Sequence, residues 1–141
     1  MYSRIVVGTD GTDRSLIAVD HAARLAAACS AELHVVAAAS PSDVGGRRES
    51  IAAIARLSGA SARTAAKIGH DAGKRHGVRV IEHPAVGDPA TVLLAVADMV
   101  DADLIVVGNK SMTGRSRKFA GSVPSRLAHQ SHRPILIVHT G

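Results

Sequence analysis

Two segments of the chain gather the residue types that recognise nucleosides and anions, at places where an α/β fold would display them. The first is Gly8-Thr9-Asp10-Gly11-Thr12-Asp13, directly after the β-branched run Arg4-Ile5-Val6-Val7. Its two glycines permit a tight bend and leave Asp10 standing at a strand end. A carboxylate there can accept from a ribose hydroxyl or a base amine. Equally, Asp10 can do no more than shape the bend while Thr12 or Asp13 caps the helix that follows. The second segment begins at Gly108-Asn109-Lys110-Ser111, passes Gly114, Arg115, Arg117 and Lys118, and closes at Gly121-Ser122-Val123-Pro124. Here a buried strand empties into a basic, Gly/Ser-rich loop that ends at a helix start. The backbone N–H groups of Gly121 and Ser122, with the Ser122 hydroxyl, would meet a phosphate at the positive end of the helix dipole. The plain alternative makes Ser122 an N-cap and the cations a solvated face.

Other chemistries are poorly served. Asn109-Lys110-Ser111 looks like the tail of a phosphate-binding P-loop, but that motif requires glycine at 109 and 104, where the chain has Asn109 and Leu104. The same triplet is a glycosylation sequon, which has no meaning in a chain that is not secreted. His129, His132 and His139 lie near the C-terminal helix and strand rather than in a strand-end turn, so no base is aimed at a nucleophile. His21, His34, His70, His76 and His83 are scattered without metal-ligand spacing, and no zinc site is expected. Cys29 is the only cysteine, which excludes an internal disulfide and reads as packing within an Ala-rich segment.

The 141 residues, 46% hydrophobic and 21% charged, suit one domain spanning 1–141. No apolar run reaches the roughly 18 residues of a membrane span, and no signal peptide opens the chain, so a cytoplasmic location is expected. Lys and Arg number 17 against 12 Asp and Glu, a net charge of +5 that points to an anionic partner. The last acid is Asp103, and Lys110, Arg115, Arg117, Lys118, Arg126 and Arg133 follow it with no later acid to offset them. The anion site is therefore expected in that stretch. Nucleic acid is disfavoured, because Tyr2 and Phe119 are too few aromatics for a base-stacking platform.

The elements that must position these residues alternate in kind. Arg4–Gly8 reads as a strand and Ser15–Ala28 as a helix with Leu16, Val19, Ala23 and Ala26 at helical spacing. Glu32–Ala39 is a second strand, followed by an exposed loop at about 40–50 marked by Pro, a Gly pair and charges. A helix is firmest over Ser58–His76, where Gly59, Gly69 and Gly73 each cost up to about 1 kcal/mol relative to Ala, and Gly77 ends it. Val78–Glu82 forms a third strand near the sheet edge. Asp88 caps a helix beginning at Pro89, with Val92, Leu93, Val96 and Val100 as its apolar face. Asp103–Gly108 is a strand buried on both sides, and a helix over Ser122–His129 and a strand over Pro134–Val138 follow. Such alternation implies a parallel α/β sheet covered on both faces. In such sheets ligands gather beyond the carboxyl ends of the strands, where the strand order reverses.

With those segments in view, the chain resembles the universal stress protein family over almost its whole length. The opening IVVGTDGTDRS, the helix start GDPA, the strand DADLIVVGN and the ending GSVPSRLAHQSHRPILIV fall in the family's order and spacing. The family's nucleotide motif is Gly, two residues, Gly, nine residues, Gly, then Ser or Thr. Here Gly108, Gly121 and Ser122 match, and Ser111 stands where the second Gly belongs. The resemblance implies an open five-stranded parallel sheet of order 3-2-1-4-5, of the adenine nucleotide alpha hydrolase-like kind, with Asp10 and Gly108 flanking one crevice. It implies that Gly8 and Asp10 meet the adenosine end, Ala38 lines the adenine pocket, Val107 and Gly108 floor it, and Ser111, Gly121, Ser122 and Val123 surround the phosphates. Lys110, Arg115, Arg117 and Lys118 are added from charge and position as outer phosphate contacts, and Thr9, Asn109 and Gly114 complete the candidate nucleotide-binding set. The implied ligand is ATP, with magnesium, or cyclic AMP. The implied role is that of a stress-response sensor or regulator working through occupancy. A slow ATPase using Asp10 through a bound metal and a dimeric scaffold with an empty crevice are the rivals, but no residue is positioned as a general base. Family members often dimerise through their last strands, and Pro134–Val138 is apolar enough to need such a cover.

Overall fold

The computed structural model describes residues 1–40, 51–109 and 122–140. In chain order the elements are β1 (Arg4–Thr9), α1 (Asp13–Cys29), β2 (Glu32–Ala39), α2 (Ile51–His76), β3 (Val80–Val86), α3 (Pro89–Val100), β4 (Leu104–Gly108), α4 (Val123–Gln130) and β5 (Ile135–Val138). The strands pair in parallel in the order β3-β2-β1-β4-β5, as the resemblance implies. No helix among the described residues is long and apolar enough to cross a membrane.

Strand side chains alternate between two cores. Ile5 and Val7 of β1, with Leu33 and Val35 of β2, pack under α1 and α2, whereas Val6, Val36, Ile105 and Val107 pack under α3 and α4. Each Val or Ile so buried contributes about 1.5–3 kcal/mol of transfer free energy. The contact face of α1 is alanine, with Ala18, Ala22, Ala23 and Ala26 fully buried, so the helix can lie close to the sheet.

Helix starts follow local chemistry. Thr12 caps α1 by accepting from the Ser15 N–H (3.3 Å), so the helix opens at Asp13, two residues before the expected Ser15. Asp88 caps α3 through Thr91 N–H (3.0 Å) and Oγ1 (2.8 Å), with Pro89 in the first turn as expected. Burial opposes ionisation of Asp88, but those hydrogen bonds and the Arg126 guanidinium outweigh it and hold the carboxyl below its usual range. The helix α2, whose firmest part Ser58–His76 left its start open, begins at Ile51, and 51–57 (IAAIARL) holds no helix breaker. The strand β3 covers Val80–Val86 rather than Val78–Glu82, because an edge strand needs hydrogen bonds on one side only and so tolerates Pro84.

The basic stretch is corrected by the tertiary contacts. Arg126 donates to Asp88 Oδ2 (2.6 Å), joining α4 to the start of α3. Arg133 reaches Asp98 and Asp101 (3.2 Å each) and the Ala102 carbonyl (2.7 Å), joining the approach to β5 to the end of α3. Both cations are thus offset by acids that precede them in sequence and are not held for a ligand. Asp103 in turn accepts from the N–H groups of Ser3 (2.6 Å) and Arg4 (2.9 Å), which hold its carboxyl below the usual range and fix the start of β1 beside β4.

The three α2 glycines differ in what surrounds them. A Cβ on Gly69 would lie 2.9 Å from Glu82 Cγ and 3.1 Å from Val80 Cγ1, so glycine there lets α2 seat closely on β3. At Gly59 it would meet only the end of the Arg63 side chain, at 3.3 Å. Gly59→Ala should therefore raise stability by up to about 1 kcal/mol through helix propensity, and Gly69→Ala should lower it despite the same propensity gain. Urea unfolding of the two variants checks the opposite signs.

Candidate functional site

Because β1 pairs with β2 on one side and β4 on the other, the bend after β1 lies beside the carboxyl end of β4. The connection from β1 leaves through α1 toward β2, and the one from β4 leaves through α4 toward β5 on the opposite face. Their divergence makes this the reversal point of strand order.

A hydroxyl network shapes the bend. Thr12 donates through N–H (3.0 Å) and Oγ1 (2.6 Å) to Asp10 Oδ1, and Ser15 Oγ donates to the Thr12 carbonyl (2.9 Å). That uses the single Ser15 hydrogen, so the 2.6 Å contact between Thr9 Oγ1 and Ser15 Oγ is a donation from Thr9. Thr9, fully buried, also accepts from the Gly11 N–H (3.1 Å). Both readings of Asp10 are therefore compatible: Oδ1 holds the turn, and among the described residues Oδ2 has no hydrogen-bond partner.

Beside this turn lies a cleft of about 190 Å³, walled by Thr9 and Asp10, by Ala37, Ala38 and Ala39 at the end of β2, and by Leu57, Ala60, Ser61 and Thr64 of α2. It unites three residues expected from sequence, Thr9, Asp10 and Ala38, while Gly8 sits buried in β1 one residue earlier, level with Val36. The α2 wall was not anticipated. Leu57, Ser61, Ala65, Ile68 and Ala72 form a buried stripe at helical spacing whose first turns reach the cleft, a pattern that a helix packed wholly on a core would share. Ser61 donates to the Ser58 carbonyl (3.0 Å), as a helical serine does when buried.

The residues on the β4 side are bound into the framework. Val107 is buried with Val123 and Leu127. A Cβ on Gly108 would come within 3.0 Å of Thr140 Cγ2, so glycine makes room for the tail after β5. Asn109 accepts on Oδ1 from Thr140 N–H (2.7 Å) and Oγ1 (3.0 Å), its Nδ2 lies 3.3 Å from His139 Nδ1, and its own N–H donates to the Val138 carbonyl (2.8 Å). Ser122 caps α4 by accepting from Ser125 N–H (3.4 Å), and Val123 is buried at the helix start. Lys110, Ser111, Gly114, Arg115 and Gly121, with Arg117 and Lys118, lie outside the described residues.

A larger groove of about 340 Å³ runs between α1 and α2, away from β4. Its central charges are paired: Asp20 lies 2.7 Å from His76, 3.3 Å from Arg24 and 3.7 Å from Arg75. Among the described residues no group of three or more His, Cys, Asp or Glu side chains is placed to share a metal ion. The scattered histidines do include one pair that the fold assembles, His34 and His83, with 2.9 Å between ring nitrogens.

Comparison with known proteins agrees with this geometry. Residues 1–139 match the model of the universal stress protein family. Universal stress protein Rv1636 of Mycobacterium tuberculosis is 37% identical over 143 residues, covering 99% of this chain and 97% of the relative. Universal stress protein MJ0531 of Methanocaldococcus jannaschii is 32% identical over 140 residues, 98% of this chain and 82% of the relative. A universal stress protein solved in complex with cAMP superimposes with a TM-score of 0.77 at 35% identity, covering 99% of this chain and 98% of that one. With the strand order, the Asp10 turn and the match from end to end in agreement, the chain belongs to the universal stress protein family.

Proposed function

We propose that this chain binds an adenine nucleotide at the reversal point and acts as a stress-response sensor or regulator through occupancy rather than turnover. The observation that carries the proposal is the cleft of about 190 Å³ that Thr9, Asp10 and Ala37–Ala39 form with α2 at the carboxyl ends of β1 and β2, in a chain 35% identical to a universal stress protein crystallised with cAMP. In this reading the flat base enters the alanine-walled cleft, the free Asp10 oxygen accepts from the ribose or the base, and the phosphate end points toward the α4 start capped by Ser122.

Cyclic AMP is the favoured ligand over ATP with magnesium. Ser111 stands where the family's motif has its second glycine, and the solved relative at 35% identity is a complex with cAMP. Calorimetric titration with cyclic AMP, with ATP and magnesium, and with adenosine tests this. Cyclic AMP should bind at least about tenfold more tightly than the other two, a difference of about 1.4 kcal/mol. Ser111→Gly should narrow the gap for ATP. Asp10→Asn keeps an acceptor for Thr12 while replacing the other oxygen by an amide NH2, which donates and cannot accept, and it should weaken binding by about 1–2 kcal/mol. Absence of binding by all three ligands at millimolar concentration would leave a scaffold role, and phosphate release that disappears in Asp10→Asn would make the chain an ATPase.

Self-association through β5 has its own support. β5 is an edge strand with Ile137 47% exposed at its centre, a surface that pairing with a second copy would cover. Ile137→Lys should convert a dimer to a monomer in analytical ultracentrifugation without altering far-ultraviolet circular dichroism.

A further inference from the structure

Edge strand β3 is hydrogen-bonded within the sheet to β2 alone, and one side-chain contact supplements that ladder. The rings of His34 on β2 and His83 on β3 stack with centroids 5.1 Å apart and an interplanar angle of 29°. His34 Nδ1 lies 2.9 Å from His83 Nε2, and His34 Nε2 lies 3.3 Å from Glu32 Oε1. An ionised carboxylate can only accept, so Nε2 of His34 carries its hydrogen and Nδ1 is left to accept from the Nε2–H of His83. Glu32 thereby orders both rings.

The pair has limited room for charge. His34 is only 5% exposed. The charged groups acting on it are Glu32 on β2, Arg4 on β1, Arg79 before β3, and His83 itself. Glu32, the one anion of this group, also faces Arg79 at 3.4 Å. A first added proton keeps the contact, because an imidazolium still donates to a neutral ring. A second turns both facing nitrogens into donors with no acceptor between them and sets two positive rings against each other near Arg4 and Arg79. We propose that the His34–His83 pair is a proton-operated latch on β3, closed while the rings share at most one added proton and opened by the second, so that mild acidification loosens the edge strand from β2.

Burial disfavours the charged form of both rings. At His34 the Glu32 carboxylate works against burial while Arg4 and Arg79 reinforce it, and at His83 the His34 charge adds to it, so both titrate below the ordinary 6.5. In the unfolded chain both take protons near that ordinary value. Between the lowered and the ordinary value the unfolded chain binds more protons, and stability rises with pH. The latch's contribution is present above about pH 6.5 and is lost as pH falls through the lowered values. Its effect reaches the cleft, because Ala38 and Ala39 are in register with Ala85 and Val86, and the Gly87 N–H donates to the Ala39 carbonyl at 2.9 Å.

Amide hydrogen exchange, corrected for intrinsic rates, tests the latch at about pH 7.5 and about pH 5, on either side of the histidine range. Protection of β3 amides should fall at least about tenfold more than that of β1 amides on acidification. His83→Gln keeps a donor for His34 Nδ1 and removes the second titrating ring, so the extra loss at β3 should shrink. Equal loss at β3 and β1, or a variant that retains the full difference, overturns the proposal. Should the variant fail to fold, ring proton resonances of the unaltered chain decide: coupled titration below the ordinary value supports the latch, and independent titration of both rings at that value refutes it.

Discussion

The placement of β1 directly beside β4 is the constraint on which the rest of the structure depends. These two parallel strands are buried on both faces, and residues distant in sequence meet there only because Ile5, Val6 and Val7 stand in register with Leu104, Ile105 and Val106. Asp103 reinforces the arrangement by binding the backbone of Ser3 and Arg4 at the opposite end. Once the strands lie side by side and their connections leave toward opposite edges on opposite faces, no helix crosses the gap at their carboxyl ends. The bend carrying Asp10 and the carboxyl end of β4 are neighbours for that reason alone.

Electrostatics follow from the same topology. Along the sequence every charged residue after Asp103 is basic, yet Arg126 and Arg133 are taken up by Asp98 of α3 and by Asp88 and Asp101 at its two ends. The helix α3 crosses from one edge region of the sheet to the centre, which carries acids of the middle of the chain to cations of its end. These pairs fasten α4 and β5 to α3, and the part of the positive charge free for an anion is correspondingly smaller than the count of residues suggests. Asn109 is a comparable case: a polar residue after a strand, expected at a ligand, whose amide oxygen is engaged by Thr140.

The candidate site was legible where the signal was local. Gly8-Thr9-Asp10-Gly11 announces a strand end and a tight bend, and the family resemblance implied Ala38, so three residues of the cleft could be named beforehand. The wall supplied by α2 could not, because nothing in Leu57, Ala60, Ser61 and Thr64 distinguishes a helix face toward a cleft from one toward a core. The start of α2 was left open by the sequence, and β3 ended later than expected because an edge strand tolerates Pro84.

The sequence by itself determined the alternation of strand and helix, the cap at Asp88, and the family to which the chain belongs. Each rests on interactions within a few residues or on order along the chain. Only the tertiary structure decided which histidines meet, which cations are neutralised and which helix walls the cleft. His34 and His83 are 49 positions apart and touch because β2 and β3 pair in one particular register. A shift of that register by one residue would send each side chain to the other face, and no local propensity encodes the choice.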